Sequence, residues 1–405
     1  MVILLRRSAR FWLKGLYPVE QGIEASQGAE STGIAMTKLN RREAIKVVVG
    51  ASAALYTGCS KGESEMTKLA EVENIVPLPP GATPWPTRDP FLFCVHHLDL
   101  YPKGNEACGP QASLAGRHIG QDFAGIDGWR MYHGAAVPGF PSHPHRGFET
   151  VTVVRQGLLD HADSMGAAAR YGDGDVQWLT AGAGIQHAEM FPLLRRDADN
   201  PVELFQIWLN LPRKDKFAKP HFSMFWSNEV PKLLNQEPGV ELTVIAGKHG
   251  SVVPPAPPPE SWANAPDNEV AIWTLKLEPH SSCLLPAASL GVSRSLYFFD
   301  GESLGVSGQS VGVGHRIDVQ AHFPTQLKSD ATSAQVLVLQ GRPIGEPVVQ
   351  HGPFVMNSTD EIRQAIMDYQ RTQFGGWPWD RRDPVHGTER KRFAQHVDGR
   401  REEPT

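Results

Sequence analysis

The sequence is poor in cysteine, in excess positive charge and in long apolar runs. Four cysteines in 405 residues are too few for a disulfide-held scaffold or a four-thiolate zinc site. Lys and Arg (39) are outnumbered by Asp and Glu (44), giving a formal net charge of -5. That balance excludes the broadly basic surface of a nucleic-acid-binding protein. No apolar run approaches the ~20 residues that cross a bilayer as a helix. The second half of the chain has no His-x-His pair; His280, His315 and His322 are scattered. What is present is a normal globular balance, 40% hydrophobic and 20% charged, with 39 Gly and 33 Pro. Such Gly and Pro usage punctuates short strands, and the length accommodates two domains.

Residues 40–59, NRREAIKVVVGASAALYTGC, form a unit of their own. Arg41-Arg42 and Lys46 precede the apolar stretch Val47–Tyr56 and then Gly58-Cys59. A charged segment, a short apolar run and small residues make an export signal. The twin arginine resembles a Tat signal, and Cys59 stands where a bacterial lipoprotein would be lipidated, with Tyr56 departing from the aliphatic residue usual there. The expectation is an exported envelope or periplasmic protein, attached to the membrane through Cys59 if that residue is lipidated. A signal that goes unused would leave the chain cytoplasmic. Met36 offers an alternative start that would leave residues 1–35 untranslated. Residues 60–85 are expected to be a linker.

The chemistry concentrates in two segments. The first is His143-Pro144-His145-Arg146-Gly147-Phe148-Glu149, followed by the strand-like TVTVVRQG. The second is GDVQWLTAGAGIQHAEMF, about forty residues on, with His187 and Glu189 two apart. Side chains alternate along a strand, so residues at i and i+2 share a face. His143 and His145 therefore project together, as do His187 and Glu189, and the same count puts Glu149, Val151 and Val153 on the histidine face. Three imidazoles and a carboxylate suit a divalent transition metal.

These two segments resemble the paired cupin motifs in the form found in pirins. FQIWLNLPRKDKF (205–217), GRPIGEP (341–347) and GPFVMN (352–357) extend the resemblance over roughly residues 86–375. It implies an all-β fold of the cupin superfamily: two β-barrel (jelly-roll) domains in one chain, with a C-terminal helix. It implies His143, His145, His187 and Glu189 as metal ligands, with Glu149 supporting from behind. The usual ion of the family is iron(II); nickel, manganese, copper and zinc fit the same donors. The implied activity is that of a quercetinase-type dioxygenase acting with O2 on a small enol or phenolic aromatic, with Glu189 taking the substrate proton. The alternatives are a metal-binding redox sensor without turnover and a regulatory interaction protein. A monomer is expected.

The expected domains are 86–235, the metal-binding barrel with an insertion at about 94–138, and 236–378, a degenerate barrel without metal. The latter would carry a helix at 358–374, capped by Ser358 with Glu361 three residues on, ended by Gly375-Gly376 and bearing an apolar stripe of Ile362, Ala365, Ile366 and Tyr369. Residues 379–405 are expected to be a solvated polar tail. The insertion is either a lid or a surface elaboration. Tyr132, His133, Phe148 and Trp178 are candidate substrate contacts. Cys94 and Cys108 would be a disulfide in an oxidising compartment and buried thiols otherwise. Asp163 is expected to turn its loop, and His161 to point outward.

Overall fold

The run FETVTVVRQ, Phe148–Gln156, is buried on both faces over most of its length, so it must lie between two packed layers. In the computed structural model, which describes residues 68–234 and 236–404, that is its position. The signal-like segment 40–59, with Cys59, lies outside the described residues, as do residues 1–35.

Phe148–Gln156 belongs to a six-stranded antiparallel sheet. Its order is His221–Phe225, Val176–Thr180, Phe148–Gln156, Asn200–Asn210, Phe91–Tyr101, Trp85–Pro86. A second six-stranded sheet faces it, ordered Arg401–Glu402, Phe393–Gln395, Ala168–Gly172, Leu158–Asp163, Ile185–Met190, Gly139–His145. Together they form the first barrel. The second barrel pairs a seven-stranded sheet with a four-stranded one. Its interior is apolar, built from residues such as Leu242, Trp273, Leu296, Phe298, Val336 and Val338. The two-barrel, mainly β architecture matches the expectation.

The barrels meet through the outer face of the first sheet. Val151, Val153, Trp178, Phe205, Ile207 and Leu209 pack there with Ile245, Ile272, Tyr297 and Leu339 of the second barrel. Burying side chains of this size stabilises by roughly 1.5–3 kcal/mol each, which makes the junction a core in its own right.

Two segments depart from their expected roles. Val72–Pro77, inside the expected linker, pairs with His315–Val319 as the edge strand of the second barrel's large sheet. Phe393–Gln395, inside the expected tail, pairs with Ala168–Arg170 of the first barrel, and Arg401–Glu402 pairs with it in turn. Both are short and mostly only partly buried, so composition concealed an edge pairing that depends on the neighbouring sheet. Each end of the described chain thus completes the barrel formed by the other half of the sequence. The domain boundary also shifts slightly, since Lys232–Leu234 pairs with the second barrel's Val240–Ala246. The expected insertion is shorter as a loop, because Phe91–Tyr101 is one continuous strand.

The helix runs Thr359–Thr372, with the Ser358 hydroxyl accepting from the Glu361 N–H at 3.3 Å. Ile362 and Ala365 are buried against Phe354 and Met356, so the stripe is core as expected. It ends earlier than its glycines suggest, because Gln373 and Phe374 themselves take the left-handed conformation. The Phe374 ring then lies so close over Gly184 that a Cβ there would come within 2.8 Å of it.

Candidate metal centre

The strand Gly139–His145 pairs antiparallel with Ile185–Met190, and His143 stands directly opposite His187. With His145 two residues on, three imidazoles converge inside the first barrel. Their ring centroids lie 4.7 Å (His143–His145), 4.5 Å (His143–His187) and 4.8 Å (His145–His187) apart. One ligand nitrogen from each lies within 4.8 Å of the others, an arrangement that can hold one metal ion. All three are buried.

Burial holds His143 down to about 4 and His145 and His187 well below the ordinary histidine range. They are therefore neutral at physiological pH, the form that donates a lone pair. The Nδ1 of His143 lies 3.0 Å from the Pro141 carbonyl. As a donor there, it leaves Nε2 for the ion. Both ring nitrogens of His187 are buried without a hydrogen-bond partner. An imidazole so placed is costly unless a further group bonds it, so the donor set fits a metal ion.

Glu189 lies beside this triad. Its Oε2 is 3.7 Å from His187 Nε2, and the Gln206 amide donates to both carboxylate oxygens at 3.3 and 3.1 Å. The Thr152 hydroxyl is 3.3 Å from Oε1. Burial raises Glu189 above the usual carboxylate range. Phe148 presses edge-on against His145 at 5.0 Å and stacks on Trp208 at 3.9 Å, so it supports a histidine from the opposing sheet.

Several expected residues lie elsewhere. Glu149 and Trp178 face away from the triad, toward the second barrel. Glu149 accepts from Thr180 and Ser261, both at 2.6 Å, and Trp178 is part of the inter-barrel core. Counting by twos from His145 fails because the Arg146-Gly147 turn carries the chain from one sheet to the other. Gly147 has φ 86, and a Cβ there would sit 2.0 Å from the Val355 carbonyl. Across that turn Phe148 takes the interior face. Cys94 and Cys108 are free thiols. Cys94 lies in the inter-barrel core and Cys108 in a separate cluster with Val137 and Met190, so their positions preclude a disulfide.

The segment 102–138 packs against the first barrel, where Trp129, Met131 and Tyr132 join its core. Tyr132 is fully buried, and its hydroxyl donates to Asp99 at 2.6 Å and lies 2.8 Å from His97 Nδ1. Its ring joins Phe140 and Phe191 at 5.0 and 5.9 Å. Tyr132 is therefore part of that core. His133 is held to the Gly120 carbonyl at 2.7 Å and meets Phe140, which in turn meets His143.

His161 corrects the expectation that it points outward. It is fully buried, stands opposite Glu189 across the strand pairing, and lies 5.6 Å from the His187 ring. Asp163 turns its loop as expected, accepting from the Met165 and Ala167 N–H groups, and its second oxygen holds His161 Nε2 at 3.2 Å. Gln206 and Thr152 were missed, and His161 was assigned to the wrong face. Alternation in LLDHAD offered a signal for His161, since His161 and Asp163 share one face, but nothing in the sequence told which face is inside.

A Pirin family model matches residues 115–209, and a Pirin C-terminal cupin domain model matches 272–375. Pirin-1 of Arabidopsis thaliana is 37% identical over 242 residues, 58% of this chain and 78% of that protein. The chain belongs to the pirin family. A Pseudomonas aeruginosa pirin relative, provisionally named a quercetin 2,3-dioxygenase, is 36% identical over 238 residues, 58% of this chain and 79% of that one. A quercetin 2,3-dioxygenase structure from Acinetobacter baumannii, 24% identical, superposes with a TM-score of 0.62 over 76% of this chain and 99% of that one. It shares the pirin fold described above. Residues 377–404 lie beyond both family matches, although they complete the barrel that carries the histidine triad.

Proposed function

We propose that this pirin is a metal-dependent oxidoreductase of the quercetinase type, a dioxygenase acting on an enol or phenolic aromatic at a mononuclear iron site. The observation that carries the reading is the convergence of three buried, neutral imidazoles with Glu189 beside them. His143, His145 and His187 would hold the ion, with Glu189 as the fourth ligand. A bound ion would supply positive charge that acidifies a substrate hydroxyl, together with reactivity toward dioxygen. Nickel, manganese, copper and zinc suit the same donors.

The chain's own residues prepare the proton transfer. Glu189 Oε2 is the acceptor, and its raised proton affinity suits a general base. Gln206 and Thr152 fix the direction of the carboxylate, and Phe148 with Trp208 keeps water from one side of the triad. The names of the relatives support this chemistry, and the signal-like residues 40–59 support an exported setting. A second reading, a metal-binding sensor without turnover, is favoured by the burial of His187 and by the ring cluster of Tyr132, Phe140 and Phe191 packed between the segment 102–138 and the triad's strand.

The test measures bound metal by elemental analysis and oxygen uptake with quercetin on one preparation. The comparison protein is the His143→Ala/His145→Ala double variant. One equivalent of iron, with uptake that the variant loses, is the expected result. Metal without uptake on quercetin or other phenolic substrates would favour the sensor. No metal after reconstitution would overturn the centre itself.

A further inference from the structure

The strand that carries His143 is irregular where it matters. Phe140 stands opposite Glu189 and His143 opposite His187, so Pro141 and Ser142 together face the single residue Ala188. Two residues against one is a β-bulge, a device that re-aims a side chain and leaves backbone groups outside the ladder. Here the bulge brings the Pro141 carbonyl to His143 Nδ1. The orientation of one imidazole of the triad thus depends on the shape of the bulge.

The bulge is completed from the far end of the sequence. The Ser142 N–H donates to the Arg382 carbonyl at 2.6 Å. The Arg382 side chain donates from Nε to the Ser142 hydroxyl at 2.9 Å and from Nη2 to the Ser142 carbonyl at 2.7 Å. Ser142 is 1% exposed, so these groups would be costly to leave unpaired. Arg382 belongs to the segment 377–404, which is anchored on the same sheet at further points. Trp379 donates to the Asp163 carbonyl at 2.8 Å, and the His386 N–H donates to Asp160 at 2.8 Å. Arg170 donates to the Gly387 carbonyl at 2.9 Å, and Phe393–Gln395 closes the sheet edge.

We propose that residues 377–404 form a strap that sets the metal centre, with Arg382 the positioning residue for His143 through the Ser142 bulge. The inference deepens the metal-centre reading and rests on it. The strap does not touch the ion. It fixes the geometry with which one ligand reaches it, as partners behind a metal ligand do elsewhere, where their loss weakens metal binding by roughly 10–100-fold.

The test uses the full chain and cobalt(II) as the probe, with affinity measured by competition against a chelator and the visible d–d spectrum recorded for coordination geometry. Arg382→Ala is expected to weaken cobalt binding by about tenfold or more and to alter the spectrum, with Arg382→Lys intermediate. Arg392→Ala is the control. It removes a strap anchor on Asp175 at 2.7 Å, far in sequence from the bulge, and should lower Tm while leaving cobalt affinity and spectrum as in the parent chain. Equal affinity and an identical spectrum for Arg382→Ala and the parent would overturn the strap's role while leaving the metal centre standing. Equal losses in Arg382→Ala and Arg392→Ala would also overturn it, as general loosening. A parent chain that binds no cobalt, iron or nickel would overturn the metal centre, and the strap's role with it.

Discussion

The two barrels share one architecture and differ in what their inner faces carry. In the first, the interior holds His143, His145, His161, His187 and Glu189, with Thr152 and Gln206 across from them. In the second, the interior is lined by aliphatic and aromatic residues such as Leu242, Leu296, Phe298 and Val338. The comparison teaches that the fold supplies a protected interior and the inward residues decide its use. Apolar residues there contribute stability directly. Histidines there must be kept neutral, oriented and bonded, and the first barrel devotes a bulge, a strap and an amide to that end.

The widest separation between the barrels should come from His187→Ala. Saturating metal should stabilise the parent chain by about 4 kcal/mol at a thousandfold excess over Kd and should do nothing for the variant. Thermal denaturation with and without metal measures it, and a variant still stabilised by metal would place the ion elsewhere. Leu296→Ala in the second barrel, a fully buried position, should cost about 3 kcal/mol through lost burial and a cavity. Its metal content should stay that of the parent, so elemental analysis beside a denaturant titration separates the two effects. A loss of metal would show that the second barrel does more than pack.

pH sharpens the contrast further. The triad histidines have folded values below the unfolded value near 6.5, with His143 at about 4. The unfolded chain therefore takes up protons that the folded chain refuses. The stability they leave intact is fully present above about 6.5 and is lost as pH falls through about 4. The Tm of metal-stripped protein should drop over that interval, and replacing all three histidines by Leu should flatten the drop. An unchanged slope would assign acid sensitivity to other groups. The last effect belongs to Glu149, pushed up to about 7 by burial between the barrels. Its contribution is present below its unfolded value and is lost as pH rises through 7. Glu149→Gln should remove that loss, on the order of 3 kcal/mol at pH 8, with no change in metal content. A change in metal content would mean that the inter-barrel core communicates with the triad.

The triad was legible in the sequence because each half of it lies within one strand, where alternation holds without interruption. His143 with His145, and His187 with Glu189, needed only the rule that i and i+2 share a face. Glu149 was misplaced because a glycine turn passes the chain between sheets, and counting by twos cannot cross it; Trp178 was chosen as an aromatic wall residue, and it belongs to the inter-barrel core. His161 was hidden because alternation fixes which residues share a face and leaves open which face is inside. The strap was hidden more deeply. Phe393–Gln395 and Arg382 are ordinary polar-strand and loop residues, and their meaning lies in partners such as Ser142, 240 residues away.

The exchange of end strands has a consequence for how the molecule is made. As the chain leaves the ribosome, Val72–Pro77 emerges long before the strand that will pair with it, and the histidine barrel must wait for Phe393–Gln395 before its sheet edge is closed. Neither barrel can finish alone. A polypeptide released before Arg382 would carry the triad on an open-edged sheet, without the bond network that shapes the His143 strand.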